Sequence, residues 1–164
     1  MVNKRTNKIK ITVVFCVAIL FLLGLGLSGC GPSNDMTYGL KVNWNIDMPQ
    51  PLKKIYVASD VGGLPADGTS YSVLEYSDET INELKKLSYW GSAGTIITGG
   101  IEQILVGLGA SSEVPDKNKK LMKKYPPEVN DSCLYYYKEK SSFNYVIMML
   151  DVSKKRVYVF ESST

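Results

Sequence analysis

The 164-residue chain contains no histidine. That absence excludes serine–histidine–aspartate and cysteine–histidine catalysis, zinc sites with histidine ligands, and proton shuttles built on imidazole. Cysteine is scarce as well, with three residues at Cys16, Cys30 and Cys133. Carboxylate chemistry and lysine-assisted serine chemistry remain open. The sequence predicts no catalytic constellation, no metal site and no cofactor.

Negative charge is missing from the start of the chain, where no acidic residue precedes Asp35. The net charge is +3, from 19 basic and 16 acidic residues. Four of the basic residues lie before residue 11, so the remainder has fifteen against sixteen, which is a slight negative excess. A nucleic-acid-binding domain carries its basic excess on the domain itself. The composition therefore predicts no nucleic-acid partner.

The basic start is followed by residues 11–27, which carry no formal charge. This segment ends in Leu27, and Ser28, Gly29 and Cys30 follow it. This order is typical of an export signal. The four residues resemble the lipobox of bacterial lipoproteins. The resemblance implies a signal peptide over residues 1–29, cleavage before Cys30, and a diacylglyceryl group on the Cys30 sulfur. It implies a lipid-anchored protein on the outer face of the cell membrane. The alternative is an uncleaved membrane anchor with a chance cysteine.

Under that interpretation Cys16 leaves with the signal peptide and Cys30 carries lipid, so Cys133 is the remaining thiol. No internal disulfide is then possible. Cys133 precedes a tyrosine-rich segment, and we expect it to be a buried structural thiol.

Residues 30–52 contain three prolines and several Asn and Asp, without a sustained hydrophobic period. This pattern predicts a tether from Cys30, with a short strand around Leu40 to Trp44. A single domain is expected over residues 53–164.

Five segments rich in β-branched and aromatic residues predict strands, at 53–59, 70–76, 133–139, 143–151 and 156–162. Segments with helical spacing of apolar residues lie between the second and third strands, at 77–89, 95–110 and 116–125. We expect an α+β fold with an antiparallel sheet of about five strands and two or three helices packed on one face. The segment 95–110 is also apolar enough to suggest a second membrane span, although Glu102, Gln103 and four glycines favour a core helix.

Five lysines lie close together in the segment 116–125, namely Lys117, Lys119, Lys120, Lys123 and Lys124. They form either a contact with anionic lipid or a solvated helix face. Asp60 and Asp67 flank a glycine-rich connector and suggest a carboxylate pair or a cation site. The connector lacks the spacing of a calcium loop, which favours a turn.

The chain resembles a group of small Gram-positive lipoproteins in four places. These are the segment DGTSYSVLEYSDE (67–79), Trp90, the segment CLYYYKE (133–139) and the final hairpin. The resemblance covers residues 53–162 and implies location rather than activity. Relatives often carry His-Gly before the Asp-Gly pair, whereas this chain has Pro65 and Ala66, so no role of that histidine carries over.

Three hypotheses follow for the function. The first is a membrane-anchored binding or accessory module of the cell envelope, with an unknown envelope protein or ligand as its partner. The second is an envelope hydrolase that uses two carboxylates, which would converge in one cleft. The third is an immunity or phage-exclusion lipoprotein.

Overall fold

The computed structural model describes residues 36–61 and 67–163. Within that part, the elements follow in the order α1 (Met36–Trp44), β1 (Lys53–Ser59), β2 (Gly68–Glu75), α2 (Asp78–Leu84), α3 (Thr95–Ala110), α4 (Asp116–Lys124), β3 (Leu134–Ser141), β4 (Asn144–Asp151) and β5 (Arg156–Ser163). The five predicted strands are therefore present, and the α+β class is confirmed.

The strands form one sheet in the order β1-β2-β5-β4-β3, with every neighbouring pair antiparallel. The last strand in sequence, β5, is the central strand of the sheet. Its residue Glu161 lies opposite Ser70 of β2 on one side and Val146 of β4 on the other. The predicted antiparallel sheet is confirmed.

Both faces of the sheet are buried. Along β5, Val157 and Val159 point to one face, while Tyr158 and Phe160 point to the other, because successive side chains of a strand alternate. All four are at most 1% exposed. A strand that is apolar on both sides needs a cover on each face.

The helices α3 and α4 cover the first face, which we call the α3/α4 face. Ile101, Ile104 and Leu108 of α3 are buried there at helical spacing. Their partners on the sheet include the stacked rings of Tyr71 and Phe160, whose centroids are 4.8 Å apart. The predicted core helix over 95–110 is confirmed, and no helix of the described residues is long and apolar enough to cross a membrane.

The helices α1 and α2 cover the opposite face, which we call the α1/α2 face. Leu40 and Trp44 of α1 and Ile81 of α2 pack there against Met148 and Val159. The α2 helix begins as its sequence predicts, with Ser77 accepting a hydrogen bond from the Thr80 amide at 3.3 Å. It ends at Leu84, earlier than the predicted position near residue 89.

Helices on both faces correct the expectation of two or three helices on one face. Strand alternation explains the arrangement. Tyr71 and Val73 of β2 are buried on the α3/α4 face, and Leu74 is buried on the α1/α2 face, so helices must cover both faces of the sheet. Four helices rather than three are present in the described residues, because α1 lies in a segment that was expected to be a tether.

The tether prediction is wrong from Met36 onward, and so is the short strand around Leu40 to Trp44. Met36, Leu40 and Trp44 are four residues apart and form the buried side of α1. The helix ends at Trp44, and the residue after it, Asn45, adopts a left-handed conformation with φ of 53°. Ile46 and Met48 are also buried in the same core. The packed domain therefore includes residues 36–52.

Candidate functional site

A cleft of about 210 Å³ opens at one end of the α1/α2 face. Its lining comes from α1, from β1 and the residues after it, from β2 and from β5. The lining residues are Asn43, Tyr56, Ser59, Val61, Gly68, Ser70, Glu161 and Ser163. Most of these side chains carry a hydroxyl, amide or carboxyl group. The cleft can therefore offer several hydrogen bonds to a polar ligand.

Glu161 is the ionisable carboxyl group of this cleft. The strand places it on the same face as Val157 and Val159, at the point where the apolar cover ends. The indole Nε1 of Trp44 donates a hydrogen bond to Glu161 Oε1 at 2.7 Å. Burial raises the pKa of Glu161, and hydrogen bonds from Trp44 and Ser70 partly oppose that rise. The carboxyl group is thus held in a fixed position and kept easier to protonate than a free glutamate.

Tyr56 forms the β1 side of the cleft, with its side chain about half exposed. Burial raises the pKa of its hydroxyl, and the nearby charge of Glu161 raises it further. The hydroxyl therefore remains a hydrogen-bond donor at neutral pH. The exposed part of the ring offers a flat surface beside the carboxyl group, which suits stacking against a ligand ring.

The rim of the cleft depends on Gly68 and Asp60. Asp60 Oδ1 accepts hydrogen bonds from the backbone amide of Thr69 at 2.5 Å and from its hydroxyl at 3.0 Å. Gly68 has φ of 147°, and a Cβ there would lie 2.9 Å from Asp60 Oδ1 and from the Val61 backbone. Only glycine fits this position without displacement. Asp60 therefore acts in the turn, as its sequence context favours, and Asp67 is exposed.

A second buried polar group lies further along the same face. Ser72 is 1% exposed, and its hydroxyl has no hydrogen-bond partner within the described residues. It faces the same side of β2 as Ser70, one step deeper into the sheet, and lies opposite Tyr56 of β1 and Val159 of β5. Buried hydroxyls without partners are uncommon in folded proteins. The polar character of the cleft thus extends into the core beneath it.

A cavity of about 220 Å³ beside α1 has its charges on Lys41 and Asp47, which are exposed and pair with each other. Two further cavities also lack the combination of burial and charge found at Glu161. One, of about 300 Å³, lies at the same end of the sheet and is lined in part by Asp60, Gln103 and Tyr145. The other, of about 490 Å³, is an apolar groove between the start of α3 and Tyr137. Asp60 is committed to Thr69 in the first, and the described lining of the second has no charged side chain. Glu161 therefore marks the strongest candidate site.

The five predicted lysines lie on α4, on the other side of the sheet from this cleft. The Asn118 side-chain amide holds α4 against β1 by donating to the Val57 carbonyl at 2.8 Å. Lys119 is half-buried and the other four are exposed. Lys124 Nζ also lies 5.4 Å from the centroid of the Tyr125 ring. The cluster and Glu161 do not form one site.

Of the predicted cysteines, Cys30 lies outside the described residues. Cys133 is buried, as its sequence context predicts, and its thiol donates to the Glu128 carbonyl at 3.7 Å. Burial raises the pKa of the Cys133 thiol, so it remains protonated and unreactive. No group of three or more acidic or cysteine side chains within residues 36–61 and 67–163 is arranged to hold a metal ion.

The sequence analysis missed Glu161, Trp44 and Tyr56. A signal for Glu161 was present, because it follows Val157 and Val159 at strand alternation and is the one acid on that face of β5. An acid at a core-facing position is a candidate functional residue. The sequence pattern predicts a tether around Trp44, so it gives no reason to expect a contact between Trp44 and Glu161.

Comparison of the chain with protein-family models, with curated proteins and with solved structures finds no match.

Proposed function

We propose that the chain is a membrane-anchored extracytoplasmic lipoprotein whose domain binds a polar ligand in the Glu161 cleft. The observation that carries the binding role is the carboxyl group of Glu161, fixed by Trp44 at 2.7 Å in a cleft lined by hydroxyl groups. The anchor rests on the lipobox-like residues Leu27 to Cys30. Two acyl chains on Cys30 would hold the domain at the membrane without a spanning helix.

The size of the cleft limits what enters it. A volume of about 210 Å³ is below the range of roughly 300–1,000 Å³ for complete small-molecule pockets. The cleft therefore takes one sugar ring or one polar side group of a larger molecule. Hydroxyl groups and an ammonium group are both suited to a carboxyl oxygen surrounded by serine hydroxyls. An envelope polysaccharide or amino sugar is the ligand class that we favour.

The composition of the cleft favours binding over carboxylate hydrolysis. Glycoside hydrolysis uses two carboxyl groups about 5 to 10 Å apart, one on each side of the bond that breaks. Glu161 is the one acid among the described lining residues, and Asp60 at the rim accepts hydrogen bonds from the amide and hydroxyl of Thr69. A single carboxyl group can hold a ligand without cleaving it. The immunity or phage-exclusion hypothesis remains a prediction without a described feature in its favour.

The anchor is tested by replacing Cys30 with serine in the full-length protein. We expect the wild-type protein to incorporate labelled palmitate and to lose its first 29 residues, as read by the mass of the N-terminal peptide. The C30S variant should do neither. A C133S variant is the matched control and should label normally. Palmitate labelling that persists in C30S would rule out the anchor.

The cleft is tested by the fluorescence of Trp44, which contacts Glu161 directly. Glucose and glucosamine serve as probes, since they differ in one ammonium group. We expect a saturable change in emission with at least one of them, in the wild type and in W90F. Trp90 bonds the Leu84 carbonyl instead and should not respond. The E161Q variant should lose the response. An equal response in E161Q, or none with either probe, would overturn the proposed site.

A further inference from the structure

The short distance along the chain between Cys30 and the packed domain limits how the domain can lie on a membrane. Five residues separate Cys30 from Met36, where α1 begins. Six Cα–Cα steps span at most about 20 Å when fully extended. If Cys30 is lipidated, as the proposed function holds, the start of α1 cannot lie further than that from the lipid surface.

The domain is thicker than this reach. Two helix layers enclose the sheet, and adjacent layers pack about 10 Å apart with helices about 10 Å in diameter. The distance through the domain from the outside of α1 to the outside of α4 is therefore about 30 Å. The chain would have to cross that distance for the lysine cluster on α4 to face the anchoring membrane. The linker is too short to do so.

The exposed side of α1 and the chain beside it have the composition of a membrane-contacting surface. Tyr38 and Val42 of α1 are 58% and 62% exposed. Leu52, at the start of β1, is 77% exposed. The side-chain amide of Gln50 bonds the Thr37 hydroxyl at 3.4 Å, which places the segment before β1 alongside the first turn of α1. Lys41 and Lys54 are exposed on the same side of the sheet.

These residue types are the ones that settle at a lipid–water boundary. Tyrosine is enriched at the headgroup level, and lysine extends its ammonium group to phosphate while its methylene chain stays among apolar groups. Lys41 also forms an ion pair with Asp47 at 3.0 Å, so the contact depends more on the apolar side chains and the short linker than on charge.

We propose that the α1 surface, formed by Tyr38, Lys41, Val42, Leu52 and Lys54, faces the phospholipid bilayer that holds the Cys30 lipid. The lysine cluster of α4 then faces away from that bilayer. This orientation rests on the proposed lipid anchor and adds to it the side of the domain that contacts the membrane. It also separates the lysines from lipid, although their charge alone would suggest the reverse.

The orientation is tested by site-specific fluorophores on the full lipidated protein in phospholipid vesicles. Single cysteines are introduced by V42C and K54C on the α1 surface, and by K120C and K123C on α4. The chain suits this design because Cys133 is buried and Cys30 carries lipid, so the unsubstituted lipoprotein should take up no label. Nitroxide groups on the lipid headgroups quench a fluorophore that lies at the membrane surface.

We expect quenching at positions 42 and 54 to be several-fold stronger than at positions 120 and 123. Equal quenching on both sides, stronger quenching on α4, or none on α1 would overturn the orientation while leaving the anchor in place. The anchor is checked separately on the same samples, by the mass of the N-terminal peptide and by flotation with the vesicles. Protein that lacks lipid and does not float would overturn both the anchor and the orientation.

Discussion

The two faces of the sheet are filled in different ways. On the α3/α4 face, aromatic rings of Tyr71, Tyr158 and Phe160 stack beneath the apolar side of α3. On the α1/α2 face, aliphatic side chains together with Trp44 and Tyr76 form the core, and one end carries Glu161 and the hydroxyl of Ser72. The first face is mainly a packed core, although it also buries Asp151 and the hydroxyl of Tyr158. The second combines a core with a polar cleft.

This contrast favours the α1/α2 face as the one that carries the proposed ligand site. Burying a carboxyl group or an unpaired hydroxyl costs free energy, so such groups are retained where something other than packing requires them. Glu161 and Ser72 lie on the α1/α2 face, where Glu161 lines an open cleft. The other face also buries polar groups, since Asp151 is 4% exposed and the Tyr158 hydroxyl has no hydrogen-bond partner among the described residues, but neither of them lines a described cavity. The same face carries α1, which leads toward Cys30. The candidate ligand site and the proposed membrane-facing surface thus share one side of the domain.

The largest expected effect comes from removing α1. A variant that begins at residue 53 lacks Met36, Leu40, Trp44, Ile46 and Met48, all of which are buried. Each fully buried apolar side chain contributes about 1.5–3 kcal/mol, so the loss of five is comparable to the whole stability of a small domain. We expect this variant to be unfolded or aggregated, whereas one that begins at residue 31 folds. Circular dichroism and a urea titration distinguish the two. Cooperative unfolding of the shorter variant would show that α1 is dispensable.

Matched cavities on the two faces compare them directly. Leu40 of α1 is 1% exposed and Leu108 of α3 is fully buried. We expect L40A and L108A each to lower the free energy of unfolding by about 2–5 kcal/mol, because both leave a cavity in a packed core. Urea denaturation measures the change. A cost for L40A well below that of L108A would mean that α1 is only loosely packed on the sheet.

The polar end of the α1/α2 face should give a pH-dependent signal. Burial raises the pKa of Glu161 in the folded state, so between the ordinary glutamate pKa and that raised value the folded protein holds more protons than the unfolded chain. The free energy of unfolding contributed by Glu161 therefore falls as pH rises through that window. We expect the difference between wild type and E161Q to change in this direction from about pH 4 upward. A difference independent of pH would contradict the assignment of the buried carboxyl group.

The smallest effect is expected from the lysine cluster. We expect each substitution of a cluster lysine by glutamine to change the free energy of unfolding by no more than about 0.5 kcal/mol, as is typical of exposed sites. The residues to replace are Lys117, Lys119, Lys120, Lys123 and Lys124. Four of these lysines are exposed and Lys119 is half-buried, and none of the five has a described ion pair. Vesicle binding of the lipidated protein should also be unchanged. A marked loss of binding at low salt would show that the cluster contacts anionic lipid.

The sheet could be predicted from the sequence because its strands have strong local patterns. Segments such as residues 143–151 and 156–162 are almost continuous runs of β-branched, aromatic and other apolar residues between short polar turns. Ser77 and the acids after it likewise predict the start of α2. These signals act over a few residues and need no knowledge of the rest of the fold.

The candidate site could not be predicted in the same way, because its parts come together only in the folded chain. Trp44 and Glu161 are 117 residues apart in sequence. Gly39, Tyr38 and Val42 lower the helix propensity of α1, so packing of Met36, Leu40 and Trp44 on the sheet decides its conformation. The tether prediction is wrong for this reason, and the side of the cleft that α1 forms could not be predicted either.

The most direct test of the binding face is a chemical-shift map of ¹⁵N-labelled protein beginning at residue 31, titrated with glucosamine and, in a separate experiment, with glucose. We expect at least one of the two sugars to shift the amide signals of Asn43, Tyr56, Ser70 and Glu161 on the α1/α2 face, while the amide signals of α4 stay unchanged. The same titration of E161Q should leave the amide signals of the cleft residues unchanged. Shifts confined to α4 or to the groove beside Tyr137, or no shifts at all, would contradict the account.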